Sequence, residues 1–344
     1  MRPFFLCILS LFSMLLGFSP AYADKSASVL LYHRFGEDNI PSTNIRLEQF
    51  EAHIKILKEG GYHFMALTDA IAHLKEKRDF PERTVIITVD DAYKSVFTNG
   101  WPMLKAAGIP LAVFVSTDPV DSGSSNYMSW DEIRQLKEEG VEIAHHTASH
   151  LHMVHAGLEA AMADVRRASK RFEEELGEVP KIFAYPYGEH SLEIADAIQD
   201  EGFNAAFAQF SGAIAQWDNL YALPRFPVNE RYGGENRFKL ISQAMALPVS
   251  DIIPAEPLLS DTNNPPLFGF SVDENVRGPG ALACYPSHLG KAADLVKPLD
   301  HRIEVRFDKP FPKGRSRINC TMPAGNGRWY WLGKFFLLPG GKLD

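Results

Sequence analysis

Thr84-Val85-Ile86-Ile87-Thr88-Val89-Asp90-Asp91 is an apolar, β-branched run that ends abruptly in two adjacent carboxylates. A run rich in Val, Ile and Thr, preceded by Pro81 and followed by a helical pattern, fits a parallel strand covered on both faces. Its carboxylates then lie at the C-terminal end of the strand. In α/β sheets and barrels that edge is where sites are built, because the loops that follow the strands converge there. The ordinary account of an Asp-Asp pair is a turn or a helix cap. The residues found further along the chain set this pair apart.

Around that strand, from residue 28 to about 250, β-rich runs alternate with helical patterns, which argues for a parallel α/β architecture. The runs are Val29–Tyr32, Val85–Val89, Leu111–Val115, Val141–Ala144, Lys181–Tyr185, Ala205–Ala208 and a weaker one at Tyr221–Val228. Helix ends are legible between them. Leu47–Lys58 closes on Gly60-Gly61, Ser129-Trp130-Asp131-Glu132 is a capping box, and Gly108, Gly140, Gly177 and Gly202 each follow a helical stretch. Leu158–Leu176 is amphipathic, and its charges Arg166, Arg167, Lys170 and Glu174 read as a solvated face.

Residues 1–23 hold one cation, Arg2, an apolar core from Phe4 to Phe18 and a small-residue end, Ala21-Tyr22-Ala23. This pattern predicts a secretory signal peptide, because the apolar run falls short of the roughly 20 residues of a spanning helix. A periplasmic or extracellular protein with no membrane span after processing is expected. The whole chain carries 35 Lys and Arg against 43 Asp and Glu, a formal net charge of −8, with no basic cluster. Nucleic acid and anionic lipid are therefore poor partners, and a neutral or cationic substrate fits better. Roughly 320 mature residues are ample for a core. Of three cysteines, Cys284 and Cys320 lie beyond the leader, where an oxidising compartment permits one disulfide.

Composition shifts at residues 248–266, where Pro248, Pro254, Pro257, Pro265 and Pro266 read as a linker. Beyond it the apolar period becomes two, in Leu267–Val272, Ile303–Phe307 and Arg328–Leu332, which predicts a small antiparallel β domain. The expected organisation is a signal peptide at 1–23, a catalytic domain at 24–250, a linker at 251–266 and an accessory β domain at 267–344. Trp329, Tyr330 and Trp331 are candidates to stack on sugars, although alternation places at least one in the core.

A second chemical cluster, His145-His146-Thr147-Ala148-Ser149-His150, directly follows a predicted strand. Two imidazoles at the end of a strand can turn onto one centre, and a carboxylate from another strand end completes a set suited to Zn²⁺ or a similar divalent ion. His152 and His155 read as surface histidines. A third, Phe183-Ala184-Tyr185-Pro186-Tyr187-Gly188, is again a strand running into a turn. Pro and Gly around an aromatic hold backbone N–H groups in fixed directions, as an oxyanion site requires, and an ordinary tight turn is the simpler account of such a stretch alone.

In this order the three stretches resemble the polysaccharide deacetylase family, also called carbohydrate esterase family 4 or the NodB homology domain. Thr88-Val89-Asp90-Asp91-Ala92 stands for its first motif, His146-Thr147-Ala148-Ser149-His150 for its second and Ala184-Tyr185-Pro186-Tyr187-Gly188 for its third. The resemblance covers roughly residues 26–245. It implies a distorted (β/α)₇ barrel in the α/β class, a divalent metal, usually zinc, on Asp91, His146 and His150, Asp90 as general base, and the Tyr187 backbone N–H at the oxyanion. It also selects His146 over His145 as ligand. Two positions depart from the family pattern. Ala92 stands where a glycine is usual, and Ala184 where many relatives have an arginine that orients the base; Arg225, in Leu223-Pro224-Arg225-Phe226, can supply that guanidinium from the next strand end.

The resemblance implies a secreted, metal-dependent hydrolase that removes N-acetyl groups from a polysaccharide or oligosaccharide. An O-acetyl esterase acting on xylan and a non-catalytic glycan-binding protein are the alternatives. The general acid is assigned to His33. In most of the family that histidine comes from near the end of the catalytic domain, yet no histidine occurs here between His190 and His288. His33 closes the first β-rich run, as in a circularly shifted branch that includes deacetylases of poly-N-acetylglucosamine.

Overall fold

The structure, a computed structural model, describes residues 23–37 and 39–341. Of the leader read at residues 1–23, residues 1–22 lie outside the described residues. Ala23–Asp24 forms a short strand antiparallel to Phe80–Pro81. Among the described residues no helix is long and apolar enough to cross a membrane.

Seven parallel strands form the run of a nine-stranded central sheet: β1 (Ser26–Tyr32), β2 (Thr84–Asp90), β3 (Ala112–Val115), β4 (Glu142–His145), β5 (Ile182–Ala184), β6 (Ala205–Phe207) and β7 (Phe226–Pro227); short His63–Phe64 adds in parallel to β2 and Ile214–Ala215 antiparallel to β1. Their order is β6-β5-β4-β3-β2-β1-β7, and the sheet curls into a distorted barrel. The weak run expected at Tyr221–Val228 yields only two strand residues because its backbone serves two neighbours. Leu223 exchanges hydrogen bonds with Ala206 and Ala208 beside β6, while Phe226 pairs with Leu30 and the Val228 N–H donates to Leu31 O. Between them the segment joins the two edges of the curl.

β2 is buried along its whole length, and its side chains alternate between two environments. Val85, Ile87 and Val89 pack outward beneath Phe50, Leu104 and Ile133, which lie on the helices Leu47–Glu59, Trp101–Ala107 and Trp130–Glu138. Ile86 faces the barrel interior with Phe114, Ala144, Ala184 and Phe207. The four apolar side chains Val85, Ile86, Ile87 and Val89 contribute roughly 6–12 kcal/mol by burial. That equals the net stability of many whole domains, so the strand is a fixed platform for the carboxylates at its end. The predicted capping box is present, since Ser129 Oγ accepts from the Glu132 N–H and Glu132 Oε2 accepts from the Ser129 N–H.

The C-terminal region is antiparallel as expected, but it begins earlier than the sequence suggests. Its two four-stranded sheets enclose one core containing Phe268, Phe270, Ile303, Val305, Ile318 and Phe336. Met245–Ala246 already pairs, in parallel, with Arg328–Leu338, and Val249–Ile253 is an antiparallel partner of Phe268–Val272. The proline-rich stretch read as a linker is thus built into the sandwich: Leu259 is buried, its N–H donates to Leu337 O, and the Leu337 N–H donates to Pro257 O. Proline at an edge or strand end costs no ladder bond, so a run of prolines does not exclude sheet. Cys284 and Cys320 face each other on adjacent strands and are disulfide-bonded. Trp331 packs edge-on against Phe226 of β7 and donates to Asn319 Oδ1, joining barrel to sandwich, whereas Trp329 is exposed.

Beneath the barrel's outer layer His53 is fully buried, flat against Phe238 at 3.8 Å. Its Nδ1 lies 3.0 Å from Tyr32 Oη and its Nε2 2.7 Å from Gly233 O, so a neutral ring satisfies both neighbours. Burial pushes its pKa down to about 4 from 6.5. The unfolded chain takes up a proton that the native ring refuses, so this contribution is complete above about pH 6.5 and is lost as pH falls towards 4, about 3 kcal/mol in all. Urea midpoints measured between pH 7.5 and 4.5 should fall more steeply for the parent than for His53→Asn. Parallel slopes would exclude this origin.

Candidate active and metal site

The alternation that sends Ile86 inward also sends Asp90 inward, and the register that puts Ala144 inside does the same for His146. His145, one residue earlier, points the other way into a cage of Phe172, Phe183 and Phe203. Burial there pushes its pKa to about 3. Strand parity therefore separates the two adjacent histidines.

Asp90 and Asp91 have different partners. Asp90 is 3 % exposed and accepts a bidentate pair from Arg225, with Nη1 to Oδ1 at 2.7 Å and Nη2 to Oδ2 at 2.8 Å. Arg225, fully buried, also donates from Nε to Ala208 O and lies over the faces of Phe114 and Phe207. Burial works against ionisation of Asp90, but the guanidinium and the imidazoles of His146 and His33 hold its pKa below the ordinary value.

Asp91 turns away from this pair. Its Oδ1 lies 3.4 Å from His146 Nε2 and 3.2 Å from His150 Nε2, buried and without an aligned hydrogen bond to any described residue. Three ligand atoms from two strand ends thus converge on one point. The His146 Nδ1–H donates to Ala184 O at 2.7 Å, which leaves Nε2 as the lone-pair donor toward that point. An orphaned carboxylate oxygen facing two imidazole nitrogens is the donor set of a divalent metal, and these residues fit one. Burial opposes ionisation of Asp91, but the two imidazoles hold its pKa well below the usual carboxylate range.

The backbone around these groups is unusual. Nine described non-glycine residues have positive φ, and five of them, Asp91, Ala92, Thr147, His150 and Tyr187, belong to the three motifs. Each such conformation costs on the order of 1–3 kcal/mol and persists only where its surroundings enforce it. At Gly188 the requirement is also steric: φ is +73° and an added Cβ would lie 2.3 Å from the Gln209 nitrogen. This turn presents Tyr187, whose ring meets the edge of His150 at 4.5 Å.

His33 directly follows β1 on the same rim. Burial lowers its pKa, and the carboxylates of Asp91 and Asp90 offset only part of that. Its imidazole has no hydrogen-bond partner among the described residues. Two further histidines that could in principle serve as an acid lie elsewhere. His63 stands at the opposite end of β2, paired with Thr84, and His190 is buried between Tyr185 and Phe335.

Two supports escaped the sequence reading. Asp164, on helix Leu158–Leu176, accepts the N–H groups of Ala148 and Ser149 at 3.0 Å each, and so holds the loop that carries His146 and His150. A buried acid among Ala161, Met162, Val165 and Ala168, on the apolar stripe of that helix, was the available signal. Arg315, from the β sandwich, donates to Tyr187 O at 3.3 Å. His152, expected on the surface, is half-buried and stacks flat on Tyr187 at 3.8 Å; His155 is exposed as expected.

Arg225→Met is expected to cost about 3–5 kcal/mol, because it leaves a buried carboxylate without its countercharge. Denaturation of Arg225→Met, Asp90→Asn and the double variant measures this. The double variant should be more stable than the sum of the single losses predicts, since no lone charge remains. Strict additivity would remove the pair as the cause.

Residues 77–206 match the profile of a family described as polysaccharide deacetylase. The match includes all three motifs and leaves out His33 and Arg225. The poly-beta-1,6-N-acetyl-D-glucosamine N-deacetylase of Staphylococcus aureus is 27% identical over 237 residues, covering 61% of this chain and 81% of that protein. Among solved structures, IcaB from Ammonifex degensii has a TM-score of 0.56 at 24% identity, over 64% of this chain and 99% of that one. The Streptococcus pyogenes deacetylase PplD, in complex with acetate, has a TM-score of 0.57 at 18% identity, over 62% of this chain and 97% of that one. At these identities the two structures establish the shared fold.

Proposed function

From the premise that this chain belongs to the polysaccharide deacetylase family and is a carbon–nitrogen hydrolase, we propose that it removes acetyl groups from the amines of an N-acetylglucosamine-containing polysaccharide outside the cytoplasm. The observation that carries this reading is the division of labour between two adjacent carboxylates: Asp91 faces two imidazoles, while Asp90 is held by Arg225.

Asp91, His146 and His150 would hold a divalent ion, Zn²⁺ in this proposal. When bound it supplies Lewis acidity that polarises the acetyl carbonyl and acidifies the attacking water. Asp90, kept ionised and aimed by the bidentate guanidinium, accepts the water proton. The backbone N–H of Tyr187 donates to the oxyanion that develops on the acetyl oxygen. His33, in the protonated form that the neighbouring carboxylates of Asp91 and Asp90 favour, gives its proton to the departing nitrogen, which otherwise leaves poorly. An amine leaving group is what makes such an acid necessary, and this favours N-acetyl over O-acetyl substrates. Export is supported by the leader pattern at residues 1–23 and by the Cys284–Cys320 disulfide.

Acetate release from poly-N-acetylglucosamine, chitooligosaccharides, peptidoglycan and acetylated xylan, with and without chelator, tests the proposal. Chelator-sensitive release from an N-acetylglucosamine polymer is expected. Release from xylan alone would make the chain an esterase, and binding without release would make it a lectin-like protein.

A further inference from the structure

Tyr187, which meets His150, also stacks on His152, a member of a second group of two imidazoles and a carboxylate. His152 caps the short helix Met153–Ala156 that contains His155, and Glu189 follows the turn of the third motif. Glu189 is 2 % exposed, and its two oxygens are divided. Oε1 faces Arg315 Nε at 3.7 Å, while Oε2 faces His152 Nδ1 at 2.9 Å and His155 Nδ1 at 3.8 Å. The barrel triad has the same plan, with one carboxylate oxygen 3.2 and 3.4 Å from two imidazole nitrogens.

We propose that His152, His155 and Glu189 form a second divalent-cation site. A tetrahedral ion with bonds of about 2.0–2.2 Å sets its donors roughly 3.3–3.5 Å apart, and the observed separations bracket that range. A simple His152–Glu189 hydrogen bond accounts for one imidazole only. At 3.8 Å the His155 nitrogen is too far to bond the same oxygen, yet within reach of an ion lying between them. Arg315 occupies the other carboxylate oxygen and so orients Oε2 toward the imidazoles. Two nitrogens and one oxygen select Zn²⁺, Co²⁺, Ni²⁺ or Cu²⁺ over Mg²⁺ and Ca²⁺. Exposed His155 leaves an entry path and an open position for water. The ion would also fix the His152 ring against Tyr187, coupling this site to the oxyanion turn.

The test is zinc stoichiometry of the metal-stripped full chain after loading and gel filtration, with zinc anomalous scattering to locate the ions. The parent should retain two equivalents, His155→Ala one, His150→Ala one, and the double variant none. An anomalous peak should lie against His152, His155 and Glu189. One equivalent in the parent, two in His155→Ala, or zinc lost from this position on gel filtration overturns the proposal. These readouts do not depend on turnover, so they stand or fall apart from the deacetylase reading.

Discussion

His150→Ala is expected to lose the ion of the Asp91–His146–His150 site and abolish acetate release, whereas Asp90→Asn should keep that ion and lower kcat by about 10²–10⁴. The reasoning is geometric. His150 provides one of three donor atoms around the orphaned Asp91 oxygen, and two donors hold a divalent ion poorly in competition with water. Asp90 lies 4.0 Å from His146 Nε2 and directs both its oxygens to Arg225, so its neutral amide should leave the donors in place. What the amide cannot do is accept the water proton. Elemental analysis of the two purified variants, alongside acetate release, decides the matter. Equal metal loss in both would mean that the two carboxylate roles are reversed.

His33→Asn should leave metal content and folding intact and lower kcat on an amide substrate by about 10²–10⁴, the usual worth of a general acid. His33 is on the rim beside Asp90 and His146, is free of hydrogen-bond partners among the described residues, and is the one candidate acid so placed. An acetyl ester with a good leaving group hardly needs protonation, so the same variant should lose much less on it. The comparison of the two substrates separates acid catalysis from a general disturbance of the site. An amide rate within a few-fold of the parent would rule His33 out.

The motif departures have physical readings. Ala92 stands in a left-handed conformation, φ +55°, where glycine would be relaxed, and its side chain is fully buried in the core. Lost methyl burial would offset relief of strain, so the alanine is tolerable. Ala184 takes the place of an arginine, but its carbonyl orients His146, and a guanidinium reaches Asp90 from 135 positions along the chain.

What the sequence by itself determined is everything governed by local periodicity. The run Thr84–Val89 had to be a buried strand, and Asp90 and Asp91 had to end it. Glycines mark the helix ends, because backbone handedness depends on the nearest few residues, and the choice of His146 over His145, made from the resemblance, has its physical reason in strand parity. Only the tertiary structure decided which distant groups meet. That the Arg225 offered to the base is fully buried against Asp90 rests on the closure of the sheet, Asp164 is hidden in a charge-rich helix, and the sandwich begins in a stretch whose prolines resemble a linker. Arg315 reaches the Tyr187 carbonyl across 128 positions. Such partnerships follow from where the curled sheet closes and what packs across the closure. A charge finds its countercharge through space, and no spacing along the chain encodes that distance.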